Sequence, residues 1–549
     1  MSQHNPLQVL AIAVPSQRRK AHATGNPFRV TKLNRPQPVF PRLHEFLASK
    51  TNKALKRKGF YRERPCGSMD LPAAGECAMI SQDRRELRRG TGKCLYSAFP
   101  VISQSKGEPT MPRDIALERE VRQALDAVRL IDTHEHLDTE QEFISQHVDF
   151  GRLFLHYANC DLISAGCPPK DMERIQLDPQ MSPKDKWRLM APYWEYMKDT
   201  GYGRCLEVAI RDLYGLDGLS AETVELLSER MAANRRPGFY RQVFDKAGIA
   251  VALWNRLDRL GPIPRMWTPE YDRTLFIQDM LWPADMSTDA NWRAGWGREI
   301  LCLDDYLEAI EERFAAYAAQ ASALKVGLAY VRPLVFEDRA KGEIEPLFNR
   351  LLNAGWERNV STPSLKELRA IQDYLLHFCL RQCAKYDLTV KFHTGLQEGN
   401  GNTIRNSRAA LLSNLFFKYP KVRFDIYHIS YPYQEELLTL AKNFPNVAID
   451  FCWMWIINPA AARRALREFL DAVPANKIHG FGGDFIFVEG TYGHAIMAKE
   501  NIARVLAEKV SDGEMTVERA ITVGRWLLRD NPIAWFGLQG KVPVEVLGT

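Results

Sequence analysis

Residues 112–549 carry a regular alternation of apolar and polar positions that residues 1–111 lack. From Ile115 to Val128 apolar residues recur at helical spacing, and Val128-Arg-Leu-Ile-Asp-Thr-His134 then reads as a short apolar strand. Seven further runs of strand length follow, at Gly248–Trp254, Leu275–Leu281, Leu324–Tyr330, Leu388–His393, Val422–His428, Val447–Cys452 and Ile478–Asp484. Helical periods separate them, such as the Leu365, Leu368, Ile371, Leu375, Leu376 stripe and the stretch Ala460–Leu470. Eight apolar strands alternating with helices predict an α/β chain folded as a (β/α)8 TIM barrel, because strands buried on both faces show no polar alternation. One stretch breaks the rhythm. Residues 139–246 are helical in period, with breakers at Cys167-Pro-Pro169 and Arg235-Arg-Pro-Gly238, and are too long for one strand-to-helix connection. They predict a helical insertion after strand one.

Charge changes the picture at one end only. The 549-residue chain has a formal net charge of +6, but residues 1–110 hold 20 Lys and Arg against 7 Asp and Glu, so the rest is mildly acidic. Residues 1–111, basic and rich in Pro, Gly and Ser, predict a disordered extension beside a barrel over 112–549. A nucleic-acid or membrane-surface arm is the alternative, but no aromatic residues interleave with the basic ones as a single-strand binding surface requires, so no nucleic-acid partner is expected. No run of 18 apolar residues occurs, so no membrane partner is expected either. The ten cysteines form no CxxC pair and are expected to be reduced thiols in a cytoplasmic protein.

Candidate chemistry gathers at strand ends. In Ile131-Asp-Thr-His-Glu-His136, alternate residues of a strand face the same way, so His134 and His136 point into one cavity and can share a metal ion. His393, His428 and Asp484 end strands five, six and eight, on the face where barrel enzymes build their sites. Three softer candidates are substrate-binding residues: Arg332 for a carboxylate, and Trp453 and Trp455 for a ring. Glu398-Gly-Asn-Gly-Asn402 is a candidate closing loop.

His134-Glu-His136, Phe392-His-Thr-Gly395, His428-Ile-Ser430, Pro445–Asp450, Gly482-Gly-Asp484 and the ending Asn531–Leu538 resemble the amidohydrolase superfamily, in particular its amidohydrolase-related family. The insertion and Ala329-Tyr-Val-Arg332 are similar to uronate isomerases. The resemblance implies one divalent metal ion, zinc by expectation, held by His134, His136, His393 and Asp484. Asp484 would also take a proton from the metal's water, and His428 would polarise the substrate. It implies a metal-dependent hydrolase acting on a C–N or C–O bond of a small acidic molecule, with a nonhydrolytic isomerase or decarboxylase as the alternative and homo-oligomerisation left open. Some superfamily members place a carbamylated lysine in strand four. Here Lys325 falls early in the run Leu324–Tyr330, on the order of 15 Å from its C-terminal end, and is expected to be structural. Deleting residues 1–110 should leave the melting temperature and turnover unchanged; a large loss of either would show that the segment belongs to the folded body.

Overall fold

The computed structural model describes residues 113–255, 271–276, 298–353 and 364–547. The predicted basic extension and the end of the predicted third strand, 277–281, lie outside the described residues. Eight strands run in chain order: β1 Leu130–Glu135, β2 Ile249–Trp254, β3 Tyr271–Phe276, β4 Ala321–Val326, β5 Thr389–Phe392, β6 Phe424–Ile426, β7 Val447–Asp450 and β8 Ile478–His479. They form one sheet in the order β1 to β8, with every neighbouring pair parallel. The chain after β8 runs beside β1: Thr133 N donates to Phe481 O (3.1 Å), Asp484 N to His134 O (2.7 Å) and His136 N to Phe485 O (3.0 Å). The result is a TIM-barrel-like α/β fold, with helices in the crossover connections as parallel pairing requires.

Three strand positions differ most from the expected ones. β3 begins at Tyr271, four residues before the predicted run from Leu275, on the mixed sequence Tyr-Asp-Arg-Thr-Leu-Phe276. β4 begins three residues before the predicted run and ends at Val326, with a 3-10 turn over Leu328–Tyr330. Its first half, Ala321-Ser-Ala323, is buried but built of small residues that carry little hydrophobic signal. In the eighth run only Ile478 and His479 pair regularly with β7, so the Gly480–Asp484 stretch is free to cross to β1.

Polar groups also fill the inner face of the sheet, earlier along the same strands that carry the candidate site. Lys391 donates to Thr133 O (2.6 Å). His479 Nδ1 donates to Asp425 Oδ1 (2.9 Å) and lies 3.8 Å from Asp450 Oδ2. Burial alone would keep the His479 ring neutral, but Asp425 and Asp450 reverse this and raise it to about 9. An imidazolium and an ammonium thus face two buried carboxyls, which accounts for this cluster as an internal ion network.

The stretch between β1 and β2 is built of helices. Side chains of Thr139, Ser182 and Thr200 cap three of its helices, Glu140–Ser145, Pro183–Met197 and Gly201–Tyr214, by accepting bonds from otherwise unpaired N–H groups. Helix Gly201–Tyr214 seats directly on the barrel-like body through two glycines. A Cβ on Gly201 would stand 2.0 Å from Ile456 O, and one on Gly493, in helix Val488–Ser511, 2.2 Å from Cys205 O. Gly493→Val is therefore expected to destabilise the protein by roughly 1–3 kcal/mol through overpacking, read as a lowered melting temperature. An unchanged melting temperature would mean that the two helices do not touch at this point.

Candidate metal centre

His134 and His136 lie on the same side of β1, Asp484 is brought beside them by its backbone bond to His134 O, and the three side chains converge. His134 Nε2 and His136 Nε2 are 3.1 Å apart, and each is 3.3 Å from Asp484 Oδ1. His136 Nδ1 donates to Asn255 O (2.8 Å), which fixes the proton on that nitrogen and leaves Nε2 with its lone pair turned inward. Two acceptors, His136 Nε2 and Asp484 Oδ1, this close to the His134 nitrogen favour a positively charged group beside them, and the Lys325 ammonium stands 3.0 Å from His134 Nε2. The spacing of the three inward atoms is near the roughly 3.3 Å expected between ligands of a tetrahedral ion with bonds of about 2.0–2.1 Å. The donor set therefore fits a divalent metal.

The second pair of histidines is arranged in the same sense. His428 Nδ1 donates to Cys452 O (2.8 Å) and His393 Nε2 to Leu396 O (3.0 Å), so the inward atoms are His428 Nε2 and His393 Nδ1, 3.1 Å apart. His428 Nε2 is also 3.7 Å from Asp484 Oδ2. Burial lowers the pKa of all three deeply placed rings: His134 and His393 fall well below the usual value and His428 to about 4. Burial opposes a charge on Asp484 too, but His134 and His136 outweigh it and hold its carboxyl well below the usual range. The resting centre is thus neutral imidazoles around one carboxylate.

Lys325 does not sit where the sequence suggested. Because β4 ends at Val326, the lysine is next to the strand's last residue, and Nζ lies 3.0 Å from His134 Nε2 and 4.2 Å from the centre of the Tyr427 ring. Burial lowers its pKa.

Of the three softer candidates only one joins the site. Trp453 stands edge-on to His428, with ring centres 5.1 Å apart, and stacks on Tyr157 at 4.1 Å. Tyr157, from the insertion, donates to Asp484 O (2.6 Å). Trp455 is instead buried in the core, stacked on Phe451 and donating to Gly480 O. Arg332 is likewise withdrawn from substrate binding. Its guanidinium pairs with Asp373 at 2.6 Å and donates to Arg369 O and Gln372, a structural ion pair with helix Leu365–Tyr386. The loop after β5 is tethered, with Asn400 donating to Cys160 O of the insertion and Glu398 N to the Tyr330 hydroxyl. Tyr157, Cys452, Asn255 and Tyr330 are further site neighbours; Tyr330 and Cys452 close two of the predicted apolar runs without being named as candidates, and Tyr157 and Asn255 carried no periodic signal.

Backbone conformation marks the same place. Among the described residues, every non-glycine residue with positive φ except Asp387 is at or beside the centre: Tyr157, His428, Ile429, Ser430, Trp453 and Asp484. Such conformations cost free energy and persist where the surroundings over-determine them, as at functional sites.

The neutral rings imply a pH signature in metal-stripped protein. His428 has a folded pKa of about 4 against an ordinary 6.5, so the unfolded chain binds more protons between those values. Stability should fall on acidification through that window, by about 3 kcal/mol for this ring alone. His479, raised to about 9, acts in the opposite sense: its contribution is complete below pH 6.5 and lost as pH rises toward 9. Buried Asp132 and Asp425, raised to about 7, act against His428 over the same window, so the ring is isolated by comparison with His428→Asn: by scanning calorimetry the wild type should lose stability relative to that variant between pH 6.5 and 4, and a difference that does not change with pH would show that the ring is charged in the fold.

The chain resembles known proteins over this body. Residues 274–538 match a family model described as Amidohydrolase. Among solved structures, glucuronate isomerase from Caulobacter crescentus aligns at 16% identity with a TM-score of 0.63, covering 79% of this chain and 97% of that one. A uronate isomerase from Thermotoga maritima aligns at 13% identity and 0.62, covering 77% and 97%. Identities this low show a shared fold. Among curated proteins, Protein fluG of Emericella nidulans is 27% identical over 196 residues, which are 35% of this chain and only 22% of that protein. The match runs from β3 to the segment after β8 and takes in His393, His428 and Asp484, so this part of the chain is similar to the amidohydrolases.

Proposed function

We propose that this chain is a metal-dependent hydrolase that cleaves a C–N or C–O bond of a small acidic substrate. The observation that carries the reading is the convergence of His134 Nε2, His136 Nε2 and Asp484 Oδ1 within 3.3 Å, the two histidines supplied by the end of β1 and the carboxylate by the chain after β8. In this reading His134, His136 and Asp484, with His393 from β5, hold one divalent ion, zinc. When bound, that ion supplies Lewis acidity and lowers the pKa of its water toward neutrality. Asp484 is anionic and accepts a proton at its carboxylate. His428 keeps its proton on Nδ1, so Nε2 begins as an acceptor; it would take the water's proton on from Asp484, whose Oδ2 lies 3.7 Å away, and give it to the leaving group. Trp453 and Tyr157 wall the site and keep bulk water away from it. With Arg332 committed elsewhere, Lys325 is the ammonium at the centre among the described residues and is the group proposed to meet the substrate's negative charge.

A second reading, sugar-acid isomerisation, draws on the named activities of the two aligned isomerases. Screening acidic lactones, amides and uronates on metal-loaded protein in heavy-oxygen water separates the two, since hydrolysis incorporates solvent oxygen and isomerisation does not.

The ligand assignment has its own test. His134→Ala and His393→Ala should each release most of the bound ion by elemental analysis, whereas His428→Asn should retain it and lose turnover by two or more orders of magnitude. Equal metal loss in all three variants would reject the division of roles.

A further inference from the structure

Asn255 and Gln397 are the only residues among those described whose two side-chain polar atoms are both buried and without a hydrogen-bond partner. Asn255 is 0% exposed and Gln397 2%. A buried carboxamide left unpaired costs free energy, and others in this chain have partners. Gln372 accepts from Arg332, and Asn446 and Asn531 each donate to two main-chain carbonyls. Bonds within the fold do not account for the two exceptions.

Their place does. Asn255 directly follows β2 and Gln397 lies in the loop after β5, and each is within one residue of a carbonyl that orients a site histidine. Asn255 O accepts from His136 Nδ1, and Asn255 N donates to Glu135 O (2.7 Å). Gln397 stands between Leu396, whose O accepts from His393 Nε2, and Glu398, whose N donates to the Tyr330 hydroxyl. Both main chains are therefore held by the bonds that support the centre, while both amides are left free. Trp453 repeats the pattern after β7. It follows Cys452, whose O accepts from His428, and its own indole Nε1 is a buried donor without a partner.

We infer that Asn255 and Gln397 are specificity-determining residues that bind neutral groups able both to donate and to accept hydrogen bonds, hydroxyls or an amide, carried by the substrate beside its acidic group. The inference rests on the proposed reading of this centre as the binding place of a small acid, and narrows it. A carboxamide offers two N–H donors and one acceptor oxygen without charge, so its best partner is a neutral group of the same double character. An alkyl or aromatic flank would leave both amides unpaired in the complex, which is how a site built for hydrogen bonds rejects an analogue that lacks them. The rigid main chain at both positions presents the amides already in place.

Calorimetric titration of metal-loaded, full-length protein tests this with three acids: gluconate, which carries hydroxyls, succinamate, which carries an amide, and hexanoate, which carries neither. One of the first two should bind roughly 10-fold or more tighter than hexanoate, and which one does so tells hydroxyl from amide recognition. Asn255→Leu and Gln397→Met, apolar and similar in shape, should each weaken that preference while the ion is retained. Their melting temperatures should be unchanged or raised, because no bond within the folded chain is lost. Hexanoate bound as tightly as the polar acids, binding of none of the three, or variants that keep the wild-type preference would overturn the inference. Solvent-oxygen incorporation decides the proposed function separately. A protein that hydrolyses nothing, yet prefers gluconate or succinamate through these two amides, would overturn the hydrolase and leave the recognition standing.

Discussion

Mutual repulsion among lone pairs is the constraint around which this molecule is arranged. Three inward atoms, two imidazole nitrogens and a carboxylate oxygen, are held 3.1–3.3 Å apart at a largely buried centre, and the Lys325 ammonium 3.0 Å from one of them offsets part of the repulsion. Everything near it serves to keep the atoms there. The outward nitrogens of His136, His393 and His428 are tied to main-chain carbonyls, which settles the tautomers before any ligand arrives. The positive-φ residues at the ends of β6 and β7 and after β8 aim side chains inward at a cost met by the surrounding packing.

Much of this was legible in the sequence, for reasons that can be named. A strand buried on both faces is written as an unbroken apolar run, so the eight strands announced themselves, and a polar residue ending such a run is conspicuous. That is why His134, His136, His393, His428 and Asp484 could be gathered without coordinates. The long helical stretch after β1 was visible because its breakers and periods could not belong to one connection.

What failed did so on specific physical grounds. The start of β4 is Ala-Ser-Ala, buried by small side chains, and a hydrophobic scan slides past it toward Leu328 and Tyr330; that shift of a few residues moved Lys325 from the centre to an imagined strand start. Arg332 was named for its chemistry, but a guanidinium close to helix Leu365–Tyr386 finds Asp373 first, and no local pattern announces a partner 41 positions away. Trp453 and Trp455 are two residues apart, yet the left-handed turn at Trp453 sends one to His428 and the other to the core beside Phe451. Tyr157 reaches Asp484 O across 327 positions, a contact that only the folded insertion creates.

The bonds that run from β1 to the chain after β8 have a consequence for how the protein comes apart. They join residues about 350 positions distant, such as Phe485 and Glu135, so the seam closes a very long loop whose chain entropy is released when it opens. His134 and His136 lie on one side of that seam and Asp484 on the other. An ion shared by them, as proposed, would be a cross-link over that loop, acting on stability much as a disulfide does, and chelation would then unbutton the molecule along a single line.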